Sequence, residues 1–118
     1  MARVLALTRD LLFGSRVQGA LVAAGHEVEL VADPANVPER LDATALLILD
    51  LTDDGLDGPA LVRSLIADGR LGATRTLGFY SHVDAGARER AEAAGVELVV
   101  PRSRMAREGV ALAERLLA

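Results

Sequence analysis

The sequence predicts an α/β domain built on one parallel sheet. Three observations predict it. Short apolar runs and helical repeats alternate along the whole chain, the connections between them are short, and one run, Ala45 to Leu49, is apolar at every position. A run without alternation marks a central parallel strand covered on both faces. Strict alternation of strand and helix demands βαβ units with right-handed crossovers. At 118 residues the length suits a single domain with a doubly wound, five-stranded sheet of order 2-1-3-4-5 between two helical layers.

Each element has its own signal. Arg3 to Leu7 is the first strand. Leu11 to Ala24 places Phe13, Val17, Ala20, Leu21 and Ala24 at helical spacing, and Gly25 stands where a terminating glycine belongs. Glu27 to Val31 alternates polar and apolar residues, as an edge strand does. Asp33-Pro34 opens a short helix to about Leu41. After the Ala45 to Leu49 strand comes an acidic loop, Asp50 to Gly58, and Pro59 starts a helix to about Asp68 with Leu61, Leu65 and Ile66 inward. Thr76 to Tyr80 is the fourth strand. Asp84 caps a helix carrying Ala87, Ala91 and Ala94, ended by Gly95. Val96 to Val100 is the fifth strand. The last helix, about Ser103 to Leu117, turns Ala106, Val110, Ala113 and Leu117 inward. The expectation is five strands and five helices, filling the chain with no attached output domain.

Composition excludes several function classes. Hydrophobic residues are 51% of the chain but aromatic ones only 3%, so the core is aliphatic. There is no cysteine, which removes disulfides, thiol catalysis and cysteine–zinc sites together. The formal charge is −4 and no basic block stands out, which argues against a nucleic-acid partner. All 13 basic residues are Arg, so any task needing a lysine ammonium falls to Arg or is not done. No run approaches the roughly 18 apolar residues of a membrane span, and Arg9-Asp10 interrupts the first apolar run too early for a signal peptide. The expectation is a soluble cytoplasmic protein without a membrane partner.

In a doubly wound sheet, ligands bind beyond the carboxyl ends of the strands where strand order reverses. That point lies between the first and third strands. It collects Thr8, Arg9 and Asp10, then Asp50 to Asp57; Ser81 and His82 follow the fourth strand, and Pro101 and Arg102 the fifth.

The segment Asp50-Leu51-Thr52-Asp53-Asp54-Gly55-Leu56-Asp57-Gly58 resembles the motif of response-regulator receiver domains, within the flavodoxin-like class of folds. The resemblance runs over essentially the whole chain. It implies that Asp50 holds the phosphoacceptor position, with Asp57-Gly58 at the family's seven-and-eight-residue spacing and Ser81 at the hydroxyl position that follows the phosphoryl group. It implies a signalling partner, a kinase or an output protein, rather than enzymatic activity. It also suggests a homodimer through the last two helices and the fifth strand, a face rich in Arg88, Glu89, Arg90, Glu92, Glu97, Arg104, Arg107, Glu108, Glu114 and Arg115.

The departures from the family pattern are equally specific. Receivers carry two acidic residues after the first strand, which hold magnesium; Thr8 and Arg9 stand there instead. Phosphoryl transfer to a carboxylate needs a cation to offset oxygen charge. The expectation is therefore no resident cofactor, with Asp10, Asp50 and Asp53 the carboxylates left to hold Mg2+. The family lysine after the fifth strand is replaced by Pro101, with Arg102 one residue late, and His82 takes a usually small position. Arg9 beside Asp50 is expected to form an ion pair that fills the metal's electrostatic role permanently. The expected function is an atypical receiver acting as an interaction module. Two alternatives stand beside it. One is a working receiver phosphorylated on Asp50. The other is a small flavodoxin-like anion- or nucleotide-binding domain using Thr8, Arg9, Ser15 and Arg16 near Gly14 at a helix N-terminus.

Overall fold

The computed structural model describes all residues, Met1–Ala118. Five parallel strands, β1 (Arg3–Leu7), β2 (Glu27–Val31), β3 (Leu46–Asp50), β4 (Arg75–Tyr80) and β5 (Leu98–Pro101), form one sheet in the order β2-β1-β3-β4-β5. Four α-helices connect or follow them: α1 (Leu11–Ala23), α2 (Gly58–Ala67), α3 (Ala87–Ala94) and α4 (Arg102–Leu117). This is the expected three-layer, doubly wound arrangement. β3 sits centrally and is buried at all five positions, as its uniform apolarity demands. β2 lies at the edge and is mostly half-buried, as its alternation demands.

Side chains alternate across the sheet. Val4, Ala6, Leu46 and Ile48 pack on one face with Phe13, Val17 and Leu21 of α1 and Met105, Leu112 and Leu116 of α4. Leu5, Leu7, Leu47 and Leu49 pack on the other face with Val62 and Leu65 of α2 and Ala91 of α3. The core is aliphatic on both sides apart from the tilted Phe13–Phe79 pair, whose ring centroids are 4.9 Å apart.

Three expectations are corrected. The helix expected from Asp33 to about Leu41 is two separate 3-10 turns, Pro34–Asn36 and Pro38–Arg40. The reason is Pro38. In an α-helix begun at Pro34 it would lack an N–H for the residue four before it and clash with that carbonyl. Val37 and Leu41 are buried nonetheless and close the second core where a helix was expected. Asp84 does not cap α3; Gly86 holds the N-cap position, while Asp84 accepts from the Gly86 N–H at 3.3 Å and pairs with Arg90 at 2.9 Å. Finally, Ile66 and Ala106, expected inward, are exposed. Their buried neighbours are Leu65 and Met105.

Candidate functional site

The carboxyl ends of β1 and β3 bring Thr8 next to Asp50. The strands pair with Leu7 opposite Leu49, so the next residues on each are neighbours. Alternation then turns both side chains toward the face shared with Ala6 and Ile48. The Thr8 hydroxyl donates to Asp50 Oδ2 at 2.7 Å. Thr52 donates twice to Asp50 Oδ1, from its N–H at 2.8 Å and its hydroxyl at 2.5 Å. Asp50 is 3% exposed and Thr8 5%. A buried carboxylate is costly unless its oxygens are hydrogen-bonded, and here three donors satisfy them.

Arg9 is not among those donors, which corrects the expected Arg9–Asp50 ion pair. Its guanidinium lies 3.7 Å from Asp53 Oδ2 and its Nε donates to the Ala32 carbonyl at 3.4 Å. The cause is the pleat. One residue beyond Thr8, the side chain leaves on the opposite side from Asp50. Asp53 is further engaged by the Gly55 N–H at 2.9 Å, opening a short 3-10 turn over Asp54–Leu56.

Asp10 is the N-cap of α1. Its Oδ1 accepts the Phe13 N–H at 3.0 Å, and its own N–H donates to Thr8 Oγ1 at 3.1 Å. Its Oδ2 accepts from Arg102 at 2.8 Å. Arg102 also sits over the Phe13 ring, 4.4 Å from the centroid, within cation–π range. Arg102 therefore clasps α1 to α4 and forms no ion pair with Asp50. The sequence names Asp10 and Arg102 as rim residues but misses this pairing, and it underrates Thr8.

Ser81 and His82 lie in the turn after β4, where the Ser81 carbonyl accepts from the Asp84 N–H at 2.9 Å; the Ser81 hydroxyl enters no hydrogen bond, and His82 is exposed. Neither is joined to Asp50.

The residues present do not fit a magnesium site. Asp10 and Asp53 are committed to separate caps and cations, a neutral hydroxyl occupies the face of Asp50 where β1 meets β3, and no three carboxylates or histidines come together. The anion cradle is not assembled either. The Asp10 carboxylate caps the N-terminus of α1, Arg9 faces Asp53, and Arg16 lines the groove between α1 and α4.

On the face of α3, β5 and α4, charges pair within the chain. Arg75 meets Glu97 at 2.8 Å, Arg88 meets Glu92 at 3.4 Å, and Arg104 meets Glu108 at 3.4 Å.

No protein-family model matches the chain, and no curated protein matches it in sequence. Solved structures do match it in fold. The chemotaxis protein CheY4 of Vibrio cholerae superposes with a TM-score of 0.85 at 20% identity, over 99% of each chain. The non-phosphorylated HemR receiver domain from Leptospira biflexa does so with a TM-score of 0.82 at 20% identity, over 100% of this chain and 95% of that one. A response regulator receiver protein from Burkholderia phymatum gives 0.81 at 22% identity, over 99% and 95%. From Met1 to Ala118, this chain has the fold of response-regulator receiver domains.

Proposed function

We propose that the chain is an atypical receiver that signals by binding a protein partner, a kinase or an output protein, and that it is not charged through magnesium-dependent phosphorylation. The observation that carries this reading is the closed state of Asp50. Both carboxylate oxygens are held by hydroxyl and amide donors from Thr8 and Thr52. Phosphoryl transfer to a carboxylate needs a cation on the phosphoryl group, and no side-chain cation pairs with Asp50; three donors already occupy three of its roughly four acceptor sites. In this reading it is a structural latch joining β1 to the loop after β3, and the domain acts by binding rather than catalysis.

The rim around the latch supports a protein partner. Leu11 and Leu12, just after β1, and Val83, just after β4, are 73%, 70% and 80% exposed. Large apolar residues gathered at one end of a domain mark interaction surfaces. A homodimer through α3, β5 and α4 is not part of the proposal, because much of that face's charge is paired within the chain.

The test is incubation with acetyl phosphate and Mg2+, read by intact mass. The expected result is the unmodified mass. A stable phosphoryl adduct that disappears in Asp50→Asn would overturn the reading in favour of a working receiver.

A further inference from the structure

Asp50 is covered by a short stretch of the loop that follows it. Leu51 and Leu56 are buried, at 7% and 2% exposure, and anchor the two ends of that stretch. Between them Thr52, Asp54 and Gly55 are exposed and Asp53 is half-buried. These four residues hold their own shape. The Asp53 carboxylate accepts from the Gly55 N–H at 2.9 Å, and the Asp53 carbonyl accepts from the Leu56 N–H at 3.1 Å. The Asp54 carbonyl accepts from the Asp57 N–H at 3.1 Å. Two side-chain ties join this turn to the rest of the domain. Thr52 gives its N–H and its hydroxyl to Asp50 Oδ1. Asp53 lies 3.7 Å from the Arg9 guanidinium.

Arg9 does more than face one carboxylate. Its Nε donates to the Ala32 carbonyl, just beyond β2, at 3.4 Å. Its Nη1 lies against Gly55, where a Cβ would stand 3.0 Å away. Gly55 has no left-handed backbone that calls for glycine; the missing side chain leaves room for the guanidinium. Arg9 therefore spans from the segment after β2 to the turn after β3. The pleat divides the work between two successive residues. Thr8 holds Asp50 Oδ2 directly, and Arg9 holds the turn whose Thr52 covers Oδ1.

We propose that Thr52–Gly55 is a lid on Asp50 and that Arg9 is its strap. With the strap in place, Thr52 stays on Asp50 Oδ1. When an anion takes Arg9 from Asp53, the turn swings out from its anchors at Leu51 and Leu56 and opens Oδ1 to solvent. The strap is suited to release. The Arg9 and Asp53 side chains are 50% and 33% exposed, so their pair is weak and screened by salt. The Thr8 bond is buried at both ends and stays. This inference rests on the closed state of Asp50 described above and names what regulates it.

Residue-resolved amide hydrogen exchange, read by NMR, tests the device, because two adjacent amides report on it separately. The Thr52 N–H is bonded to Asp50 and opens with the lid. The Leu51 N–H is bonded to the Phe79 carbonyl of the sheet and does not. Arg9→Gln is expected to speed exchange at Thr52 by about two- to fivefold with Leu51 unchanged. Asp53→Asn, which keeps an acceptor for the Gly55 N–H, is expected to do the same. The double variant is expected to match the larger single, since both substitutions delete one shared contact. Wild type in molar sodium chloride is expected to behave like Arg9→Gln. Arg70→Gln, which removes a guanidinium that reaches the Pro38 carbonyl at 3.5 Å, is expected to leave both amides unchanged. Thr52 exchange unaltered in Arg9→Gln overturns the proposal. So does an equal rise at Leu51, a double variant whose effect is the product of the singles, or the same response in Arg70→Gln. A phosphoryl adduct on Asp50 in the acetyl phosphate experiment overturns the closed-site reading without touching these rates, so the two failures are told apart.

Discussion

Thr8 and Asp50 are joined by a hydroxyl-to-carboxylate hydrogen bond of 2.7 Å at the carboxyl ends of two adjacent central strands. Both residues are buried. The bond is charge-assisted, and its removal would leave Asp50 Oδ2 without this partner in a dry environment. Thr8→Val keeps the shape and deletes the donor. It is expected to cost about 1–3 kcal/mol, the penalty for an orphaned buried polar group. Thr8→Ser keeps the hydroxyl and is expected to cost less. Thr52→Ala leaves the backbone N–H on Asp50 Oδ1 and removes only the hydroxyl of an exposed residue, so its cost is expected to be nearer 1 kcal/mol. Urea unfolding of the three variants gives the order. Thr8→Val indistinguishable from wild type would remove the latch from the account of Asp50.

The same position predicts how a metal site can be introduced. Thr8→Asp places a second carboxylate beside Asp50, on the face that the side chain at position 9 does not share. Without metal, like charges crowd a buried carboxylate and the variant is expected to unfold at lower temperature than wild type. A divalent cation that binds only the folded state then stabilises it by mass action. Thermal unfolding in EDTA and in millimolar Mg2+ is the measurement. The expected result is a Tm that rises with Mg2+ in the variant and stays fixed in wild type. A magnesium-dependent Tm in wild type would contradict the fit argued from Thr8, Asp10 and Asp53.

The strands were legible because burial leaves a plain mark on sequence. Ala45 to Leu49 has no polar residue, and Glu27 to Val31 alternates; those patterns set centre and edge. The site was less legible because its decisive residue is a neutral hydroxyl. Arg9 draws attention by charge, yet charge says nothing about which face a side chain leaves from. The pleat does, and with Leu7 opposite Leu49 it puts Thr8, not Arg9, on Asp50. The signal that would have found this was register, inferable by aligning the apolar runs of β1 and β3. Arg102 and Asp10 show a different limit. They are 92 residues apart, and only the placement of α1 beside α4 brings them together. The segment from Asp33 to Leu41 failed for a local reason, the second proline at Pro38.

The Arg102 clasp has two parts that substitution can separate. The guanidinium pairs with Asp10 Oδ2 at 2.8 Å and stacks over the Phe13 ring at 4.4 Å. Both side chains of the ion pair are partly exposed, so the pair itself is worth a few tenths to about 1 kcal/mol. The stack adds about 0.5–1 kcal/mol. Arg102→Ala is expected to lose both. Arg102→Lys can keep an ion pair with Asp10 but gives up the planar stack, so it is expected to recover only the salt-sensitive part. Unfolding in low and high salt separates them. The Ala and Lys variants should differ at low salt and converge as screening removes the pair. Equal stability at every salt concentration would mean that the ion pair contributes nothing.

Two glycines make opposite predictions from one substitution. Gly19 lies inside α1, and a Cβ built there meets nothing within 4 Å. Its backbone is already helical, so Gly19→Ala reduces the freedom of the unfolded chain without strain and is expected to stabilise by about 0.5–1 kcal/mol. Gly95 ends α3 with φ of +109°, a conformation L side chains rarely adopt. A Cβ there would stand 2.6 Å from Ile66 Cδ1, closer than van der Waals contact allows. Ile66 can swing away, since its side chain is exposed, but the backbone strain remains. Gly95→Ala is therefore expected to destabilise by about 1–3 kcal/mol. It should also loosen α3 against α2, the two helices that Ile66 and Gly95 bring into contact. Chemical denaturation gives the two signs, and hydrogen exchange at the α3 amides shows whether the Gly95→Ala loss is local. Loss of protection spread evenly over all five strands would place the damage in global stability rather than in the α2–α3 contact.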